Sequence, residues 1–243
     1  MADIDREFNH KVSVIIPTTS RELSLANRCA ETVKMSFYKN IEVIIVNEGK
    51  ERSEQRNIGL ERATGNYILY LDSDQLVSLD LIGECVGLMN CGYGAIYIPE
   101  IIISYGLFAY IRNWERQFYT GTEVDCVRFF KRNGLRFDTS LSGPEDADFD
   151  RRVPGFRAIA KNPIYHDDGV GVKDYFHKKA YYSKSMRKFV MTYPHDKVLN
   201  FWWRCFGVFF ERGKWKRFLS RPDLALCVML IILARGVIYL VKR

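Results

Sequence analysis

The amino-acid sequence predicts an α/β fold in which a mainly parallel sheet is covered by helices on both faces. Between residues 12 and 100, short apolar runs alternate with amphipathic stretches, and each apolar run ends in polar or turn-forming residues. Runs of this length are typical of buried strands, and strands that alternate with helices form βαβ units. The chain has 243 residues, enough for one such domain and an appendage.

The elements follow in a regular order through the first half of the chain. We predict strands at 12–16, 41–46, 67–71 and 95–98, and helices at 23–34, 53–62 and 79–89. The first three strands run into Pro17-Thr-Thr-Ser, Asn47-Glu-Gly and Asp72-Ser-Asp. Ligands of parallel sheets bind beyond the carboxyl ends of the strands, so we expect these three loops to line one crevice.

The pattern is less regular after residue 100. The aromatic segment 107–119 is predicted to be a helix, and 124–130 a strand. Residues 143–150 form an acidic loop that runs into a helix, and 157–160 is a short strand leading towards His166.

Asp72 and Asp74 are the first candidate functional residues. Alternate residues of an extended segment point to the same side, so both carboxylates could serve one centre. Hard oxygen ligands suit Mg²⁺ or Mn²⁺, and such an ion could bridge two phosphate groups of a bound diphosphate. The spacing alone is a weak signal, and its position at a strand end strengthens it.

Glu145 and Asp146 are the second candidates. A hydroxyl group is a poor nucleophile, and a positioned carboxylate that takes its proton speeds its attack. The alternative is that acids in a first helical turn cap the helix, which we prefer for Asp148 and Asp150.

Five segments, taken together, resemble the family 2 glycosyltransferases of GT-A fold, which include cellulose-synthase-like and polyprenyl-phosphate sugar transferases. They occur in the same order over residues 11–170, and they are Val12-Ser-Val-Ile-Ile-Pro-Thr18, Ile41-Glu-Val-Ile-Ile-Val-Asn-Glu-Gly49, Arg56-Asn-Ile-Gly59, Ala63-Thr-Gly-Asn-Tyr-Ile-Leu-Tyr-Leu-Asp-Ser-Asp74 and Glu145-Asp-Ala-Asp148.

The resemblance implies a nucleotide-sugar pocket. Pro17, Thr18 and Thr19 would line the base and ribose site, and Glu48 would read the base. The family usually has two aspartates where this chain has Asn47-Glu48, which leaves the base open. Arg56 would contact the nucleotide or its phosphates.

The resemblance also assigns the metal and the catalytic base. Asp74 would ligate Mn²⁺ or Mg²⁺, Asp72 would lie near the ribose and the metal, and His166 would complete the metal or phosphate site. A hydrogen-bonded structural histidine is the alternative for His166.

Catalysis is expected to be a single displacement. Asp146, beside Glu145, would be the base of an inverting transfer through an oxocarbenium-like state. A phosphate acceptor would need no base, and Asp146 would then only orient it. Gln75, directly after the acid pair, could also reach the metal, but we expect its side chain to be solvated.

The charge is divided unevenly along the chain. Residues 173–243 contain 16 Lys/Arg and 4 Asp/Glu, a net charge of +12, whereas residues 1–172 carry −5. We therefore predict a catalytic domain over 1–172 and a membrane-associated region over 173–243. Basic and aromatic residues at 173–189 could also bind single-stranded nucleic acid, but the composition of residues 198–241 favours lipid.

The last segments have the properties of membrane-binding helices. Residues 198–211 predict an interfacial amphipathic helix, and 212–221 are basic. Residues 224–241 are apolar except for Arg235, which is near enough to the end to snorkel. This helix could span the membrane, lie in its plane, or pack on the catalytic domain.

These features predict an inverting, metal-dependent hexosyltransferase at a membrane. Its partners would be a nucleotide sugar, with GDP-mannose slightly favoured over a UDP-hexose, and a lipid-linked acceptor of polyprenyl or dolichyl phosphate type. The alternatives are a processive polysaccharide synthase and a non-catalytic basic module. The polar N-terminus indicates a catalytic domain on the cytoplasmic side, and the six scattered cysteines favour neither zinc nor disulfides.

Overall fold

The computed structural model describes residues 10–169 and 171–241, so most of the polar N-terminal stretch lies outside the described residues. The chain forms two sheets. Their strands, in chain order, are β1 Val12–Pro17, β2 Ile41–Val46, β3 Tyr67–Tyr70, β4 Gln75–Val77, β5 Ala95–Tyr97, β6 Glu100–Ile102, β7 Phe129–Lys131, β8 Arg157–Ile159 and β9 Ile164–His166.

The helices surround the sheets and fill the C-terminal part of the chain. They are α1 Leu23–Met35, α2 Arg52–Arg62, α3 Leu81–Asn90, α4 Leu107–Arg116, α5 Glu145–Arg152, α6 Val172–Tyr182, α7 Met186–Thr192, α8 Val208–Phe210, α9 Trp215–Leu219 and α10 Pro222–Val241. A π-helix, Trp203–Gly207, leads directly into α8.

The larger sheet has six strands in the order β2-β1-β3-β7-β5-β8. It is parallel at β1–β2, β1–β3 and β5–β8, and β7 runs antiparallel to both of its neighbours. Five of the six strands therefore point the same way, which confirms the prediction of a mainly parallel sheet, and the reversed β7, which makes the sheet mixed, was not predicted. The hydrophobic pattern of a strand does not encode its direction.

A second sheet was not predicted. It has three strands in the order β4-β9-β6, with β4 antiparallel and β6 parallel to β9. Each of these strands has three residues, too short for a period-2 pattern to show. This small sheet aligns Gln75 with His166 and therefore joins the segment after β3 to the segment after β8.

The two faces of the larger sheet bury different residues of β1. Val12, Val14 and Ile16 pack with residues of α1 and α3, and Ile15 packs with Phe149 of α5 on the other face. Gly59 of α2 approaches so closely that a Cβ there would lie 2.3 Å from a methyl carbon of Ile15. Helices therefore cover both faces, as predicted.

A separate hydrophobic core lies at the C-terminal end of the chain. It joins α4 and the segment after it to α6, the π-helix and α8–α10, with Trp114, Phe118, Phe209 and Phe218 at its centre. Residues on both sides of the predicted boundary at 172/173 thus share one core.

The C-terminal helices differ from the expected ones. Residues 197–199 form a 3₁₀ turn, and residues 201–210 form one continuous helical run with a π-helix at its centre, so the predicted helix begins about three residues later than expected. Within the described residues no helix is both long and apolar enough to cross a bilayer. Arg235 does not snorkel, because it forms an ion pair with the fully buried Glu115 of α4.

Candidate active site

The carboxyl ends of β1 and β3 meet the helices α2 and α5 around Arg56, which has no exposed side-chain surface. Its guanidinium donates to Asp72 Oδ1 at 3.0 Å and to the carboxylate of Asp146. The rings of Tyr70 and Phe137 lie 4.6 and 5.1 Å from it. Arg56 therefore connects the strand-end aspartate to the predicted base.

This position differs from the predicted contact of Arg56 with the nucleotide or its phosphates. Arg52, one helical turn earlier, is 41% exposed and lies 3.7 Å from Asp72 Oδ1. It also donates to the hydroxyl of Tyr182 at the end of α6. Arg52 is thus the better-placed cation for a phosphate, whereas the role assigned to Arg56 stays a prediction.

Asp72 is held as a carboxylate by the arginines around it. Burial by itself would raise the pKa of Asp72, but the charges of Arg56, Arg52 and Arg128 outweigh burial and hold it below its usual range. Its backbone N–H donates to Gln75 Oε1 at 2.9 Å. Gln75 is fully buried, so the expectation that it is solvated is wrong.

Asp74 and His166 face each other across the β4–β9 ladder. His166 Nε2 lies 3.2 Å from Asp74 Oδ2, and His166 Nδ1 lies 2.6 Å from Glu100 Oε1. Burial lowers the pKa of His166, but its hydrogen bonds to Asp74 and Glu100 prevail and raise the pKa to about 10. Glu100 thus fixes the ring so that Nε2 points at Asp74.

The donor set suits a divalent cation only in part. Asp74 Oδ1 is buried and has no hydrogen-bond partner, and a histidine fixed by a second carboxylate is a common metal ligand. Within the described residues, however, no group of three or more His, Cys, Asp or Glu is arranged to hold a metal. Asp74 and His166 would therefore supply only two ligands to a Mg²⁺ or Mn²⁺ ion, which would take the others from phosphate and water, and His166 would have to release its Nε2 proton to bind it. Asp72, surrounded by arginines, stays only a predicted ligand.

Three charged residues of this site were not identified from the sequence. Arg128 bridges the two halves, at 3.8 Å from Asp72 Oδ2 and 3.2 Å from Glu100 Oε2. Glu100 and Arg128 each interrupt a mostly apolar stretch. A charged residue in such a stretch is a sign in the sequence of a buried, paired charge, and it could have identified both residues. Arg52 carries no such signal on an otherwise polar helix.

Glu145 and Asp146 begin α5 but differ in their surroundings. Asp146 is part of the Arg56 network, whereas Glu145 accepts from the backbone N–H of Gly143. Burial and then the charge of Asp146 raise the pKa of Glu145. The two residues together place one carboxylate and one less acidic carboxyl group at the start of the helix.

Asp148 and Asp150 are structural, but they do not cap the helix. Asp148 bonds Arg152 at 2.5 Å and the Tyr193 hydroxyl at 2.8 Å. Asp150 accepts from the N–H of Val127 at 3.1 Å. Both are buried, and they fasten α5 to neighbouring segments.

The residues predicted to line the nucleotide pocket follow the ends of β1 and β2. Pro17 ends β1, the carbonyl of the buried Thr18 accepts from Gln55 Nε2 at 2.7 Å, and Thr19 is exposed. Glu48 forms a bidentate ion pair with Arg62, at 2.8 and 3.2 Å, on the outer side of α2. The structure thus brings Asp72, Asp74, Asp146 and His166 together and leaves Glu48 away from them.

Comparison with known proteins relates the central part of the chain to one family. Residues 47–140 match the sequence model described as glycosyl transferase family 2, a range that includes Asp72 and Asp74. Over this range the chain is similar to the family 2 glycosyltransferases.

Two curated relatives are glycosyltransferases. Glycosyltransferase GlyA of Streptococcus pneumoniae is 31% identical over an alignment covering 30% of this chain and 14% of that protein. An uncharacterized glycosyltransferase of Haemophilus influenzae is 23% identical, covering 54% of this chain and 61% of that protein. The chain thus spans less than two thirds of the length of the curated relatives it matches.

A solved structure shows the fold of the domain. The mannosyltransferase PcManGT from Pyrobaculum calidifontis, in complex with GDP-Man and Mn²⁺, superposes with a TM-score of 0.60 at 15% identity, covering 96% of this chain and 87% of that one. The chain therefore has a GT-A-like α/β fold with a mixed, mainly parallel sheet.

Proposed function

We propose that the chain is an inverting, metal-dependent hexosyltransferase that uses a nucleoside diphosphate sugar. The observation that carries the proposal is the pair of Asp74 and His166, with a buried carboxylate oxygen that no described residue satisfies. It lies at the edge where β3 ends, beside the arginines that surround Asp72.

Each residue of the site would have its own role in the reaction. Asp74 and His166 would hold Mn²⁺ or Mg²⁺, which when bound neutralises the charge of the leaving diphosphate. Arg52 would contact a phosphate from the open side. Thr18 and its neighbours would line the nucleotide, and the exposed carboxylate of Glu48 would have to leave Arg62 to read the base.

Asp146 would act as the base towards a hydroxyl acceptor. The acceptor oxygen forms its bond to the anomeric carbon while its proton passes to the Asp146 carboxylate. The bond from that carbon to the diphosphate oxygen breaks, and the nucleoside diphosphate leaves with the electron pair. Arg56 holds Asp146 in place, and an acceptor phosphate would be oriented there without a proton transfer.

The donor is proposed to be a GDP- or UDP-sugar, with GDP-mannose slightly favoured. The mannosyltransferase of similar fold was solved with GDP-Man and Mn²⁺, which supports testing that donor first. A panel of GDP- and UDP-sugars, with and without Mn²⁺, can be screened by thermal stabilisation and by release of the free nucleotide. Stabilisation and release with one donor only in the presence of metal are expected. If no donor gives either stabilisation or nucleotide release, the proposal is wrong.

We further propose that the C-terminal helices bind in the plane of a membrane, with the catalytic domain on its cytoplasmic side. From residue 224 to 238 every exposed residue of α10 is aliphatic, and these residues are Leu226, Leu230, Leu233 and Val237. They form one stripe about 16 Å long at 1.5 Å per residue. The opposite face packs into the C-terminal core.

Neighbouring elements extend this apolar surface. Trp202 is 70% exposed and stacks on the exposed Phe206 at 5.9 Å between ring centroids. On α9, Trp215 and Leu219 are exposed beside the exposed cation of Lys216. Exposed aromatic and aliphatic groups with nearby positive charge suit the headgroup region of an anionic bilayer.

Flotation with vesicles tests the membrane proposal. Leu230→Glu combined with Leu233→Glu should abolish flotation with vesicles containing anionic phospholipid while the protein stays folded by circular dichroism. Met35→Glu is the matched control, because Met35 is an exposed apolar residue at the end of α1. Flotation of the double variant at the level of wild type would refute this surface, and a lipid-linked acceptor would then lose its support.

A further inference from the structure

An excess of positive charge is buried between α4, α6 and α10. Three cations surround the ring of Tyr175: Arg112 at 4.5 Å, Arg235 at 5.3 Å and Lys179 at 5.4 Å from its centroid. Glu115 is the carboxylate paired with Arg112 and Arg235. One negative charge therefore faces three positive charges.

Several donors of this cluster have no partner among the described residues. The Nε atoms of Arg112 and Arg235 and the hydroxyl of Tyr175 are buried without a hydrogen bond. Lys179 makes neither an ion pair nor a hydrogen bond with a described residue. Buried donors are normally satisfied, so three unsatisfied buried donors beside the half-buried ammonium of Lys179 indicate a missing acceptor.

The charges around Lys179 raise the free energy of its protonated form. Burial, followed by the charges of Arg235, Arg112, Arg116 and Arg204, lowers the pKa of Lys179 to about 7. An anion among these groups would reverse the repulsion and restore the proton.

The cluster borders the candidate active site on two sides. Lys179 lies 5.8 Å from the ring centroid of Tyr182, whose hydroxyl bonds Arg52 beside Asp72. Arg116, one turn after Arg112 on α4, bonds Glu100, which in turn bonds His166. An anion held in the cluster would therefore lie next to the site where sugar transfer is proposed.

We propose that Arg112, Tyr175, Lys179 and Arg235 form a binding site for a phosphoryl group. Guanidinium and ammonium donors with a phenol hydroxyl are the usual partners of phosphate oxygens. We also propose that the bound phosphoryl group belongs to the acceptor substrate. This assignment rests on the proposed function, whereas the phosphate site itself does not. The acceptor is then a phosphate ester, either soluble or carried by a lipid.

Direct titration of the full chain tests the site. Inorganic phosphate, glycerol 3-phosphate and farnesyl phosphate in neutral vesicles are titrated by calorimetry at low salt, with EDTA and without a sugar nucleotide. Binding of any of these probes supports the site. Farnesyl phosphate bound at least tenfold more tightly than glycerol 3-phosphate indicates a lipid source, and equal affinity indicates a soluble one. If none of the three probes binds, the proposal is wrong.

Two variants separate this site from other basic surfaces. Lys179→Met should weaken phosphate binding at least tenfold, and Tyr175→Phe, which removes only the unpartnered hydroxyl, at least threefold. Lys178→Met, an exposed neighbour on the same helix, is the control and should change affinity less than twofold. Equal effects of Lys179→Met and Lys178→Met would show a diffuse charge effect and overturn the site.

Thermal unfolding without ligand distinguishes binding from a structural role. Lys179→Met should leave the Tm unchanged or raise it, because it removes a repelled charge. A lower Tm together with unchanged phosphate affinity would show that Lys179 only supports the fold. If the chain binds phosphate but has no activity with any sugar nucleotide, the proposed function fails and this phosphate site stands.

Discussion

Arg235 of α10 and Glu115 of α4 form a bidentate ion pair across 120 residues of sequence, with N–O distances of 2.7 and 2.8 Å. Glu115 has no exposed side-chain surface, and the Tyr119 hydroxyl also donates to it. Burial would raise the pKa of Glu115, but the charges of Arg235 and Arg112 hold it well below its usual range. The pair therefore fastens the last helix to the catalytic half of the chain.

Removal of Arg235 should destabilise the protein strongly. Arg235→Leu leaves the buried Glu115 with one guanidinium fewer, and such a loss typically costs about 3–5 kcal/mol. The free energy of unfolding, from urea titration, measures the effect. Arg221→Leu is the matched control, because its ion pair with Asp223 is exposed and solvent-screened, so its loss should cost much less than the loss of the buried pair. Equal costs for the two variants would show that the buried pair contributes little.

Asp74→Asn should abolish the effect of Mn²⁺ on binding of the donor. The substitution keeps the size of the side chain but removes the charge that attracts a divalent ion. Calorimetric titration of the sugar nucleotide with and without Mn²⁺ measures the difference. Asp80→Asn, at the exposed start of α3, serves as the control and should keep the metal dependence of wild type. Metal dependence that survives in Asp74→Asn would exclude Asp74 from the site.

Asp146→Asn should lower turnover by about 100-fold or more while donor affinity changes little, because an amide cannot take a proton. Asp148→Asn tests the same substitution two residues later, where the carboxylate bonds Arg152 and Tyr193. We expect it to cost stability and to leave turnover of the folded protein within a few-fold of wild type. Steady-state kinetics with a hydroxyl acceptor measure both, and full turnover in Asp146→Asn would mean that another group is the base.

Glu42 should make the stability depend on pH in the acid range. Burial by itself would raise the pKa of Glu42, but hydrogen bonds from Lys11, Ser13 and Thr64 lower it to about 2. A depressed carboxyl pKa stabilises the fold above the pKa of the unfolded chain, near 4.5, and this contribution disappears as the pH falls from about 4.5 to 2. We expect Glu42→Gln to lose about 2 kcal/mol at pH 7, which is less than the full pKa shift would give, because solvent screens this partly exposed group.

Urea titrations from pH 7 to 3 measure this dependence. The difference between wild type and Glu42→Gln should be constant above about pH 5.5 and should shrink at lower pH. Glu31→Gln, on an exposed side chain of α1, is the control and should cost less than about 0.5 kcal/mol at any pH. A difference that does not vary with pH would show that the hydrogen bonds of Glu42 do not depend on its charge.

The sequence by itself determined the elements that bury long apolar runs. The strands β1, β2 and β3 and the helices between them lie within two residues of their predicted bounds, because hydrophobic periodicity over five or more residues specifies them. The polar strand ends placed the loop of Asp72 in the expected crevice, and the family resemblance assigned Asp146 as the catalytic base.

Only the tertiary structure decided which charges meet. Arg56 and Arg128 are buried and pair with Asp72 and Glu100, because a buried charge is costly unless an opposite charge lies beside it. The fold, and not the local sequence, determines which opposite charge is close enough. The small sheet that brings His166 to Asp74 has strands too short to carry a pattern. Arg235 illustrates the same limit, because its sequence neighbours are those of a lipid-facing helix and its partner Glu115 lies in another part of the chain. Local sequence records which groups are polar, and the packing of distant segments determines what each of them contacts.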